Sequence, residues 1–264
     1  MAMKRKNESE ALRNILLIIS YDGSRFHGWQ AQPVRGCEED RTVQGVIESA
    51  LAKMHGHRVP LIGSGRTDSG VHAVGQAANF YTDIASIPED RFVPALNSLL
   101  PRDVRILSSR SVHPDFNARF SARGRTYRYF LNCALTPFAH EIPYSWHIGR
   151  RPDLVTLNRM AAYLCGEIDF TTFTAAGDQS PSRCRYMYGA SFFPEGNKVV
   201  FEISANAFLW KMVRSLTGTL LHLEKSGAAP EVFKQILDER NRSLAGPTAP
   251  AEGLFLWHVR YDSL

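Results

Sequence analysis

The run "GSGRTDSGVHA" at residues 63–73 sets an arginine and an aspartate two residues apart among glycines. Residues at i and i+2 of an extended chain share a face, so Arg66 and Asp68 are able to enter one cavity. A cation beside a carboxylate favours its ionised form. An ionised aspartate is a nucleophile or a base, and glycines let a substrate approach the backbone closely.

Other chemistries fit the run less well. Asp and Gly also form turns, so a purely structural turn is the plain alternative. A phosphate loop is excluded: the Walker pattern needs Gly-Lys followed by Ser or Thr, and the dinucleotide fingerprint needs a glycine where Asp68 stands. The tripeptide "DSG" at 68–70 matches the Asp-[Ser/Thr]-Gly of aspartic proteases, which need two carboxylates sharing a proton. No second such tripeptide occurs, and "GRT" before Asp68 is not an apolar strand. His27, His72 and His113 have no triad partner visible in the sequence.

A second cluster is electrostatic. Between residues 102 and 128 stand Arg102, Arg105, Arg110, Arg119, Arg123, Arg125 and Arg128, opposed only by Asp103 and Asp115. Phe116, Phe120, Tyr127, Tyr129 and Phe130 interleave with them. Guanidinium forks suit phosphates, and basic plus aromatic side chains suit RNA with an exposed base. A solvated basic face is the alternative.

These residues need elements to position them. Strands are predicted at 14–21, 75–83, 103–112, 125–133 and 254–261, with a hairpin over 186–205 turning at "PEGN". Helices are predicted at 42–55, capped by Thr42, and at 88–100, 153–166, 208–224 and 230–238. Gly166 is expected to end the third of these helices. In the fourth, Leu209, Met212, Val213, Leu216, Leu220 and Leu223 form one apolar stripe. Arg214 lies off it, beside Trp210 and Leu221, where periodicity alone reads a solvated arginine. Alternation along 125–133 lets either Tyr127 or Tyr129 face the core.

The chain has 264 residues, 44% of them hydrophobic and 22% charged, with a net charge of +5. That composition is globular, not disordered. The apolar run at 15–20 is too short for a membrane span or a signal-peptide core, so no membrane segment and a cytoplasmic location are expected. Cys37, Cys133, Cys165 and Cys184 form no CxxC pair and no zinc-ligand spacing, so no metal is expected.

The motifs taken together add more. "YDGSRFHGWQ" (21–30), "GRTDSGVHA" (65–73), "NSLLPRDVRI" (97–106), "FNARFSARGRTYRY" (116–129), "NAFLWKMVRSLTGTL" (206–220) and "AEGLFLWHVRY" (251–261) follow one another along nearly the whole chain. In that order they resemble the tRNA pseudouridine synthase A family. The resemblance implies an isomerase that turns uridine into pseudouridine at positions 38, 39 and 40 of the tRNA anticodon stem-loop. It implies a homodimer that uses no metal and no cofactor. It also implies an α+β pseudouridine-synthase fold, two similar α/β halves around a mixed, largely antiparallel central sheet with a cleft between them. The expected division is a flexible tail at 1–13, an N-terminal half at 14–113 and a C-terminal half at 114–264.

The roles that the resemblance implies are specific. Asp68 matches the catalytic aspartate, which attacks C1′ of the ribose or the base. Tyr127 matches the active-site tyrosine that stacks on the target base. Arg214 matches the basic residue that pairs with the aspartate, and Arg66 the arginine that helps to hold the nucleotide out of the stack. Arg25, Arg119, Arg123 and Arg125 are expected to contact RNA, and His72 to line the site. Two stretches depart from the family's wording: the insert "AQPVRGCEEDRT" (31–42), expected as a surface loop near the cleft, and "GDQSPSRCRYMYG" (177–189). A tRNA-binding or folding-assistance module indifferent to Asp68 is the alternative function. A hydrolase on an aspartate dyad is a weaker third reading.

Overall fold

The computed structural model describes residues 12–30 and 41–262, so most of the insert at 31–42 and most of the tail at 1–13 lie outside the described residues. Ten strands join one sheet with a main path of eight. In chain order they are β1 (Arg13–Tyr21), β2 (Ile62–Gly63), β3 (His72–Thr82), β4 (Val104–Val112), β5 (Ala122–Asn132), β6 (Trp146–His147), β7 (Gly166–Asp169), β8 (Cys184–Glu195), β9 (Lys198–Ala205) and β10 (Leu254–Tyr261). The path runs β4-β1-β3-β10-β5-β9-β8-β7, with β2 on β3 and β6 on β5. Every neighbour is antiparallel except β10 with β3 and β6 with β5. The architecture is therefore α+β with a mixed, largely antiparallel sheet.

Five α-helices accompany the sheet: α1 (Val43–His55), α2 (Phe92–Leu99), α3 (Leu154–Ala162), α4 (Met212–Lys225) and α5 (Pro230–Asp238). α2 lies against β4, and α3 against β8 and beside α4 and α5. Thr42 caps α1 as its sequence predicts, accepting the Gly45 N–H. No helix of the described residues is long and apolar enough to cross a membrane.

Two helices differ from their predicted bounds. α3 ends at Ala162, and Gly166, at φ 97, opens β7 instead of closing the helix. α4 begins at Met212, four residues later than the 208 that periodicity suggests. The cause is a distant partner: the Trp210 backbone N–H is taken by the Asp178 carboxylate, and Lys211 adopts a left-handed φ of 58.

The stretch 113–124, which runs from the end of β4 into β5, is stitched down rather than loose. Buried Asn14 donates to the carbonyls of His113 and Phe116, and buried Asn79 accepts the Ala118 N–H. A buried amide without partners costs about 1–3 kcal/mol, so these bonds pin the connection to β1 and β3.

Strand order then sets the site. β10 enters between β3 and β5, pairing Leu256 with Ala73 on one side and with Tyr127 on the other. The loop that ends at β3, the segment that precedes β10, and Tyr127 are thereby brought to one end of the sheet.

Candidate active site

The glycine-rich loop is held from several sides. Ser64 donates to the Gln76 side chain, and Thr67 shares a 2.8 Å hydrogen bond with the Tyr21 hydroxyl. The Thr67 carbonyl accepts the Trp29 N–H. Gly28 makes that approach possible: its φ is +93, and a Cβ there would sit 2.7 Å from the Thr67 carbonyl oxygen. Residues 21–30 and 63–73 are thus two faces of one packed unit, which accounts for their appearance as separate motifs.

At the tip of this loop, the two carboxylate oxygens of Asp68 have separate partners. Oδ2 accepts from Arg214 Nη1 at 3.1 Å, and Oδ1 from the Trp210 indole N–H at 3.0 Å. The Asp68 and Arg214 side chains are 20% and 16% exposed, so the ion pair is sheltered but open to a ligand. Arg214 is steadied by donating Nε to the Ala249 carbonyl, while the Ala249 N–H donates to the Arg214 carbonyl. An arginine fork is suited to hold a backbone oxygen and a carboxylate at once.

Tyr127 closes another side. It packs edge-on against Phe208, with ring centroids 5.0 Å apart. Burial, with a small addition from the Asp68 charge and against the opposing pull of Arg125, pushes its phenol up to about 12. The group is therefore protonated across the neutral range. Its hydroxyl has no hydrogen-bond partner among the described residues, which leaves it available. Tyr129, the other candidate in the alternation, is core: fully buried, its hydroxyl donating to the Pro250 carbonyl.

The remaining predicted residues are spread more widely. No ion pair joins Arg66 to Asp68 among the described residues. Arg66 is exposed and donates to the Gln30 side chain at 2.7 Å, so the guanidinium on Asp68 is that of Arg214. Residues at i and i+2 would share a face on an extended strand, but Asp68 begins a turn whose carbonyl accepts the Val71 N–H. Arg25 is exposed. Arg119 is exposed and lies over the ring of Phe120, itself 77% exposed. Arg123 is exposed and paired with Asp262.

Arg125 and His72 differ from what their positions in the motifs suggest. The Arg125 guanidinium donates to the carbonyls of Ser64, Arg119 and Asn206, which ties the glycine-rich loop to β5 and to the end of β9. Its donors face main chain, with no acid paired to it among the described residues. Replacing Arg125 with alanine removes three bonds to main-chain carbonyls, of which the one to Ser64 is partly buried. The expected cost is about 2 kcal/mol of stability, read as a melting temperature lower by about 4–8 °C.

His72 is fully buried, stacked on Phe255 with centroids 4.5 Å apart. It does not line the cleft, because β10 covers it. Its Nδ1 accepts the Gly23 N–H and lies 3.3 Å from Asp22. Burial lowers its pKa, against the pull of Asp22, so the imidazole is neutral and acts as a support beneath residues 22–23.

Trp210 is the residue that sequence reasoning missed. Its signal was its place one helical turn before Arg214, inside the same motif. Nothing in the pattern says that an indole four residues upstream reaches the acid, because that reach depends on the non-helical stretch before α4.

Comparison with known proteins places these features. The family model for tRNA pseudouridine synthase matches residues 17–121 and 160–262, and this chain belongs to that family. It is 56% identical over 253 residues to a protein of Treponema denticola named tRNA pseudouridine synthase A, covering 96% of this chain and 94% of the relative. A protein of the same name from Treponema pallidum is 55% identical, covering 89% of this chain and 84% of the relative. A third, from Acetivibrio thermocellus, is 41% identical, covering 95% of this chain and all of the relative. The sheet described above is the pseudouridine-synthase fold that goes with this family.

Proposed function

We propose that this protein converts uridine to pseudouridine at positions 38, 39 and 40 in the anticodon stem-loop of tRNA. Asp68 is the nucleophile, Tyr127 the stacking and proton-transfer partner, and Arg214 the cation that pairs with the carboxylate and orients it. The observation that carries the reading is the Asp68–Arg214 pair, which joins residues 146 positions apart at the end of the sheet.

The chemistry fits these groups. The C1′–N1 bond of the uridine breaks and a C1′–C5 bond forms; C5 loses a proton and N1 carries one. The change is an isomerisation, with nothing oxidised or reduced. Asp68 attacks at C1′ or at the base, and the freed uracil turns before it rejoins the sugar. C1′ and C5 are inaccessible in a stacked helix, so the nucleotide must be everted at a cost of a few kcal/mol. Stacking on an aromatic returns about 1–3 kcal/mol per base. A Tyr127 phenol that stays protonated is suited to donate a proton rather than to take one.

The surface fits the substrate class. Arg25, Arg66 and Arg119 are exposed cations outside the strands, Arg123 is an exposed cation at the start of β5, and phosphate contacts of this kind dominate RNA affinity. In this reading residues 14–113 and 114–264 close on the nucleotide from either side. The same reading takes the protein to be a cytoplasmic homodimer.

The test is direct. An unmodified tRNA transcript with uridines at positions 38–40 is incubated with the purified protein, and its pseudouridines are mapped by sequencing. Pseudouridine at one or more of the three positions is expected. An unmodified product, or pseudouridine only elsewhere, overturns the reading.

A further inference from the structure

Trp210 combines two properties that rarely occur together. It is 45% exposed, although tryptophan is ordinarily well covered. It is also held firmly. Its backbone N–H donates to Asp178 Oδ2 at 2.6 Å, and its backbone carbonyl accepts the Ala175 N–H at 3.1 Å. Gly177 lies against the indole, where a Cβ would be 2.8 Å from the ring. Asp178 is in turn fixed by Arg183, at 2.5 Å, with its own side chain only 5% exposed.

The next residue adds a constraint and a charge. Lys211 sits at φ 58 and ψ 9, a left-handed conformation that a lysine adopts when its surroundings impose it. Its ammonium lies 5.0 Å from the centroid of the indole. The outcome is a firmly held indole with a cation over its ring and its indole N–H on Asp68. Proteins that take unpaired RNA bases use such faces, because every base has a π-surface to stack.

We propose that Trp210 is a further residue of the site with two roles: its N–H orients the Asp68 carboxylate, and its exposed face is a platform on which a base of the bound RNA stacks. Asp178 is the positioning residue: it accepts the Trp210 backbone N–H and so fixes the main chain that carries the indole. This rests on the uridine-isomerase reading above. It also gives a purpose to the 177–189 stretch, whose first residues cradle the indole.

Two variants separate the roles. Trp210→Phe keeps a ring and removes the N–H; Trp210→Leu removes both. Each is compared with wild type by the single-turnover rate of pseudouridine formation and by the Kd for tRNA in filter binding, with circular dichroism confirming the fold. The phenylalanine variant should lose about tenfold in rate, the worth of one hydrogen bond to a charged group, with Kd little changed. The leucine variant should lose the same in rate and about 5- to 150-fold in affinity, the range measured for base stacking. Because Trp210→Phe is conservative at an exposed position, it remains informative if the leucine variant melts early. Wild-type rate and affinity in both variants overturn the inference while the isomerase reading stands. A rate loss with unchanged Kd in the leucine variant overturns the stacking platform. A wild-type protein that forms no pseudouridine removes the reading and the inference together.

Discussion

Replacing Asp68 with asparagine should lower turnover by about 10⁴-fold or more, while tRNA affinity stays within a few-fold of wild type or tightens slightly. The size follows from the role: an amide neither attacks carbon usefully nor leaves again, and removal of a covalent nucleophile costs on that order in other enzymes. The sign for binding follows from charge. Asp68 is the acid paired with Arg214, and its neutralisation removes repulsion toward a polyanion. The substitution is nearly isosteric. The side-chain oxygen can still accept the indole N–H, and Arg214 keeps its bond to the Ala249 carbonyl. The measurement is tritium release from C5-labelled uridine in tRNA, run beside filter binding. Release at the wild-type rate would show that chemistry does not pass through this carboxylate, and would favour a binding or folding-assistance module.

The second large effect is on the fold. α4 passes so close to the segment before β10 that a Cβ at Gly218 would lie 1.8 Å from the Pro247 carbonyl oxygen. Both partners are backbone, and no side chain can swing aside. Gly218→Ala should therefore reach or exceed the upper end of overpacking costs, about 3 kcal/mol. That corresponds to a melting temperature lower by about 6–12 °C in a chain of this size. The approach matters for function because the same segment carries Ala249, which exchanges two hydrogen bonds with Arg214. Moving α4 outward to make room for a methyl group shifts Arg214 relative to Asp68, so activity should fall even in the fraction that stays folded. Thermal melting and single-turnover rate below the transition check both parts. An alanine variant with the wild-type melting temperature would mean that the helix and the segment are not in contact.

Much of the secondary structure was legible because its causes are local. The Thr42 cap and the Gly45 N–H it accepts are three residues apart. The Ile- and Leu-rich run of β1 states its own burial, and the turn at "PEGN" closes β8 onto β9 within a few residues. The later start of α4 came from a group outside the local window. Asp178 reaches 32 residues along the chain to take the Trp210 N–H, and no helical period records that.

The candidate site divides along the same line. From residue types and order alone came an aspartate suited to nucleophilic chemistry, an arginine-aromatic surface suited to RNA, and, through resemblance, Asp68, Tyr127 and Arg214 as partners. What only the tertiary structure decided is that Arg66 turns away from the acid to Gln30, that an indole meets it, that Arg125 clasps main chain, and that His72 is walled in. The physical reason is that spacing along a chain constrains neighbours a few residues apart. A side chain's distant partners are set by strand order, here the entry of β10 between β3 and β5, which brings the glycine-rich loop, Tyr127 and the support for Arg214 to one end of the sheet.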